Sequence, residues 1–144
     1  MNIIETGKLL AVIGAVDRRQ AAGEAEILAW QELLEDINLD DALAAVREYR
    51  RASADWIQPA HVIARVRKIR AARLDAAAKN LEAYPNDVEG VAYVDELRAL
   101  RRAIADGRMT ADDLPAYHAS GRSIHLHETR GILAGSRVVR GELA

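Results

Sequence analysis

Residues 29–70 read AWQELLEDINLDDALAAVREYRRASADWIQPAHVIARVRKIR, and the fold turns on how this stretch is punctuated. Pro59 lacks a backbone donor and has a preset φ, so it suits the first turn of a helix and biases Gln58 away from helical geometry. A bend is therefore expected between one helix that ends near Ser53 and another that runs from Pro59 to about Ala83, with Val62, Val66 and Ile69 inward. Upstream, Asn38 or Asp40 is placed to cap the first of these. Its apolar residues Ala42, Leu43, Val46 and Tyr49 lie on adjoining turns. Asp40 and Asp41 at its start and Arg50 and Arg51 at its end both suit the helix dipole. Ile27, Trp30, Leu33, Leu34 and Ile37 mark a preceding helix over about Ala22 to Asp36.

Working outward, Ile4, Leu9, Leu10, Val12, Ile13 and Val16 recur at helical steps, which predicts a first helix over residues 3–16. Tyr84-Pro85-Asn86-Asp87 stops the helix that begins at Pro59. A fifth helix over about 89–106 carries Val91, Val94, Leu97, Leu100 and Ile104, and Gly107 ends it. Thr110 to Asp113 resembles a capping box with Asp in place of Glu and opens a short segment near Pro115 and Tyr117. After Ala119, glycines at 121, 131, 135 and 141 leave no room for a helix of useful length. The expected architecture is all-α: four amino-terminal helices in a small bundle domain (1–84), a further helical segment (85–119) and a flexible tail (120–144).

Composition agrees with this. The 144 residues include 28 Ala and 15 Leu, the two leading helix formers here, and no Phe or Cys. The lack of cysteine excludes disulfides, thiolate metal sites and Cys nucleophiles. No apolar run approaches a membrane span, and the opening MNIIETGKLL does not read as a signal peptide, so a soluble intracellular protein is expected. The net charge of -2 is unevenly spread: residues 1–56 balance to -5, residues 57–82 to +4, residues 83–115 to -3 and residues 116–144 to +2. An acidic amino-terminal half is a poor footprint for phosphate binding, which needs concentrated positive charge.

Few residues suggest catalytic chemistry. The pairs Glu35-Asp36, Asp40-Asp41 and Asp112-Asp113 stand at helix ends, where capping and the dipole account for them, and adjacent helical residues diverge by about 100°. His118, His125 and His127 lack the i,i+4 spacing of a helical zinc site, and His61 reads as an exposed first-turn residue. There is no phosphate-binding glycine loop. No catalytic, cofactor or metal site is expected. Trp30 and Trp56 are either interface anchors or the bulky fillers of a core without Phe; the second reading is preferred. Arg65, Arg67, Lys68, Arg70 and Arg73 form a candidate basic surface, although no aromatic residue is interleaved for base stacking. In the tail, Arg122, Ile124, Leu126, Arg130, Ile132 and Leu133 mix cations with apolar anchors and are candidate partner contacts; an unstructured terminus is the equal alternative.

Residues 3–70 resemble the phage family of replicative-helicase loaders and inhibitors. The likeness rests on Trp30, Leu33, Leu34 and Asp36, a W-x-x-L-L-x-D unit, and then on Ala42, Ala45, Val46 and Tyr49. It continues with Trp56, Pro59, Ile63 and Arg67, and Leu9, Leu10 and Ile13 fit the family's first helix. The resemblance implies a helical amino-terminal domain and a mobile carboxy-terminal part that contacts a helicase hexamer, in the cytoplasm of a host cell if the gene is a phage's. It implies delivery of the helicase to an origin complex, with an origin-binding replication protein as a possible second partner. Residues 89–118 depart from the pattern, since they read as further helix where the family is largely unstructured. Two other readings stay open: a small DNA-binding regulator that uses the basic helix 59–83, and a purely structural homo-oligomeric module.

Overall fold

The computed structural model describes residues 1–17, 23–85 and 91–121. Those residues form six α-helices: α1 (Ile3–Val16), α2 (Glu24–Leu33), α3 (Leu39–Ala52), α4 (Pro59–Glu82), α5 (Val91–Ala105) and α6 (Leu114–Ala119). One 3-10 turn, Ala111–Asp113, precedes α6, and the described residues contain no strand. The fold is all-α. No helix among the described residues is long and apolar enough to cross a membrane.

Packing divides the chain into two units, Met1–Ala72 and Arg73–Ala144. The division falls inside α4. The cause is that α4 serves two cores: Val62 and Val66 belong to the first, and Leu74, Ala77 and Leu81 to the second.

In the first unit, Asn2 caps α1: its Oδ1 accepts from the Glu5 amide at 2.9 Å, and Glu5 Oε2 accepts from the Asn2 amide at 2.9 Å. Leu9, Leu10, Ile13 and Thr6 form the buried side of α1, and Thr6 Oγ1 donates to the Asn2 carbonyl at 3.0 Å. The helix α2 starts later and ends earlier than its stripe suggests. Past Leu33 the chain turns, and the Met1 α-amino group donates to the carbonyls of Leu34 (3.1 Å), Glu35 (2.7 Å) and Ile37 (2.6 Å). That cation satisfies carbonyls of the turn just past the C-terminus of α2, a place where positive charge is favoured. Leu34 and Ile37 go into the core while Leu33, expected beside them, is 56% exposed. Asn38, not Asp40, caps α3, with Oδ1 accepting from the Asp41 amide at 2.8 Å.

Trp30 is buried, as expected, among Leu34, Ile37, Val46 and Tyr49. Trp56 is not: it is 55% exposed, and the neighbouring Ile57, at 0%, takes the core position beside Pro59. Adjacent residues of an extended segment point to opposite sides, so only one of the two can enter. The branched aliphatic chain fits a core already filled by Val46, Val62 and Val66.

In the second unit, Leu100, Ile104, Ala77, Leu81 and Leu114 make the core. The packed side of α5 is its carboxy-terminal half; Val91 and Val94, expected to continue the inward stripe, are exposed. The helix ends at Gly107, whose φ of +72° suits glycine, and the Arg108 amide closes the turn onto the Ala103 carbonyl at 2.8 Å. Three side chains tie the elements: Arg73 Nη1 donates to Ala105 O (2.8 Å), Asn80 Nδ2 to Ala111 O (3.1 Å) and Tyr117 OH to Glu96 Oε1 (2.8 Å). Asp113 Oδ2 accepts from the Thr110 amide (2.8 Å) and hydroxyl (2.7 Å), so the capping role read from the sequence is present. These hydrogen bonds hold the Asp113 carboxyl below the usual carboxylate range. Small residues are prominent in both cores: Ala42, Ala45, Ala77, Ala99 and Ala103 are all buried.

Candidate functional site

The five cations of α4 do not act as one surface. Arg65 lays its guanidinium carbon 4.6 Å from the centre of the Tyr49 ring, whose centroid is 4.7 Å from that of the stacked His61 ring. Its Nη1 donates to the His61 carbonyl at 3.4 Å. Arg70 donates from Nη2 to the Asp36 carbonyl at 2.6 Å and sets Nη1 3.6 Å from the Asp36 carboxylate. Arg73 caps the end of α5. Three of the five thus hold tertiary structure, and Arg67 and Lys68 alone of the set are exposed. Apart from the Asp36 carboxylate, the partners are carbonyls and an aromatic face, which carry no charge signature in the sequence.

The tail set, Arg122, Ile124, Leu126, Arg130, Ile132 and Leu133, lies outside the described residues, as do His125 and His127. Among the described residues no three side chains of metal-ligating type converge. His61 is partly buried, stacked on Tyr49, and accepts from the Gln58 amide at Nδ1 (3.2 Å), which differs from the exposed position expected of it. Asp41 is 2% exposed, with Oδ2 accepting from Asn38 Nδ2 at 3.0 Å. Asp36 faces Arg70 and Asp113 closes its own cap. A cleft of about 370 Å³ opens in the second unit, lined in part by Lys79, Tyr84, Pro115 and His118.

The outward side of α1 is the unusual feature. At about 100° per residue, Ile4, Lys8, Val12 and Val16 form one i,i+4 row, flanked by Ala11 and Ala15. All six are exposed, and only Lys8 is charged. The opposite side carries Leu9 and Ile13, so the helix is apolar on both faces. Helices of that kind are normally covered on both sides, and an exposed apolar stripe marks an interaction surface.

Trp56 adds a second exposed apolar group. Its loop is held firmly: Arg50 Nη1 donates to the Asp55 carbonyl (3.0 Å), Ser53 Oγ to Asp55 Oδ2 (3.0 Å), and Tyr49 OH to the Trp56 carbonyl (3.4 Å). An indole on a fixed backbone pays little ordering entropy on docking, which is the property of interface anchors. The preference for bulk as core material hid this residue in the sequence; the adjoining Ile57 was the available signal. In comparisons with known proteins, no family model, no curated protein and no solved structure matches this chain.

Proposed function

We propose that the chain is a replication accessory protein that binds a replicative helicase and loads or restrains it, working by docking alone. The observation that carries this is the outward row Ile4, Val12 and Val16 on α1, a helix apolar on both sides, together with the exposed Trp56. The docking surface therefore lies in the amino-terminal unit, the part that bears the resemblance to helicase loaders and inhibitors. A binder without nucleotide chemistry acts through differential affinity: it shifts the helicase toward whichever conformation or nucleotide state it grips more tightly.

The test is co-migration on size exclusion with the cognate helicase hexamer, apo and ATP-bound. The native chain is expected to co-migrate, and an Ile4→Glu/Val12→Glu variant with unchanged helical circular dichroism is expected to separate. Failure of the native chain to bind either helicase form, or retention of binding by the variant, overturns the reading. The alternative, a DNA-binding regulator using residues 59–83, keeps Arg67 and Lys68 as its exposed cations. A duplex mobility shift at micromolar protein, lost steeply with salt, would favour it.

A further inference from the structure

Two exposed helix faces outside the α1 row are opposite in charge and alike in pattern. On α2, Glu24, Leu28 and Glu32 share one outward side, Leu33 stands about 100° further round the helix, and Glu35 follows in the turn past the helix end; all five are exposed. On α5, Val91, Val94, Arg98, Arg101 and Arg102 share the outward side, opposite the buried Leu100 and Ile104, and all are exposed. Leu28 is 49% and Leu33 56% exposed; Val91 is 76% and Val94 44% exposed. Arg98 already meets Asp95 of its own helix at 3.1 Å, so Arg101 and Arg102 are the principal cations of this face.

The intervals also agree. Leu28 to Glu32 and Val94 to Arg98 are both four residues, about 6 Å of helix rise. With the two helices running the same way, Leu28 seated on Val94 brings Glu32 level with Arg98, and Glu35, in the turn past the end of α2, continues the acidic side toward the end that carries Arg101 and Arg102. Guanidinium groups pair readily with carboxylates in this setting, and the apolar pair sets the register.

We infer that the acidic face of α2 in one copy of this chain docks on the arginine face of α5 in a second copy. Each copy carries one face of each kind, so the contact either closes reciprocally as a two-fold pair or continues to larger assemblies. Both faces are small and their ion pairs exposed, so the association is weak and salt-sensitive. The inference is independent of the helicase reading, because it concerns the chain alone and different helix faces.

Sedimentation equilibrium of the full chain from micromolar to millimolar concentration tests it. At low salt the average mass is expected to rise with concentration toward twice that of the monomer or beyond it, and to return to the monomer value at about 0.5 M salt. Arg98→Glu/Arg101→Glu and Glu32→Arg/Glu35→Arg are each expected to remain monomeric, and an equimolar mixture of the two is expected to associate again. All four positions are exposed, so folding is not at stake, and unchanged circular dichroism verifies it. A chain that is monomeric throughout, association untouched by salt or by either reversal, or two reversed variants that stay apart on mixing overturns the inference; pairing with some other acidic segment gives the first of these results.

Discussion

Replacing Ile57 with Ala and, separately, Trp56 with Ala puts the amino-terminal core to a direct test, because sequence and structure order the two costs oppositely. Ile57 is fully buried among Val46, Val62 and Val66. Truncation removes three carbons, about 2.4 kcal/mol of transfer free energy at ~0.8 kcal/mol per methylene. The residual cavity adds on the order of 1 kcal/mol, for a total of about 3–4 kcal/mol. Trp56 is 55% exposed and its removal leaves no enclosed void. The expected cost is about 1 kcal/mol, the value typical of a partly exposed side chain. Urea unfolding followed by helical circular dichroism measures both. With a slope near 1.5 kcal/mol per molar, the midpoint falls by about 2 M for Ile57→Ala and by less than about 1 M for Trp56→Ala. Equal shifts, or a larger one for Trp56→Ala, would refute the assignment of Ile57 as the core residue of this bend.

Two predictions concern the second unit. Gly107→Ala is expected to lower its stability by about 1–2 kcal/mol, the cost of a left-handed backbone for an L-residue, read as faster amide exchange at Asp106 and Arg108. The added Cβ would also stand 3.0 Å from Arg73 Cζ, so the Arg73 side chain must shift; unchanged exchange at both amides would contradict this. The Asp113 carboxyl, held low by the Thr110 amide and hydroxyl, stabilises its turn at pH above the ordinary carboxylate pKa. That contribution is lost as pH falls through the lowered value. The Thr110 amide resonance should titrate with a midpoint below the usual Asp range, and a midpoint at the ordinary value would show that the cap does not form in solution.

What was legible in the sequence is what depends on residues a few positions apart. Asn38, Pro59, Gly107 and the Thr110–Asp113 box each act on backbone groups within one helical turn, and each sits where the sequence puts it. What was hidden depends on residues far apart in the chain. Arg65, Arg70 and Arg73 read as a basic face because their acceptors, the Tyr49 ring, the Asp36 carbonyl and the Ala105 carbonyl, become neighbours only in the fold. The candidate docking side of α1 was invisible for another reason: periodicity finds a helix's buried face by contrast with a polar one, and α1 has little contrast to offer. The continuous pattern of α4 likewise does not say that its two halves join different cores.

The buried alanines have a consequence for how this protein tolerates change. Ala42 and Ala45 are buried in the first unit and Ala77, Ala99 and Ala103 in the second, so at those sites there is almost nothing left to trim and little room to grow. Its lineage can drift toward smaller side chains at the leucines and isoleucines at graded expense, whereas a methylene added at a buried alanine overpacks its surroundings. The sequence bias that first looked like mere helix propensity is thereby also a steric constraint on which descendants of this chain can still fold.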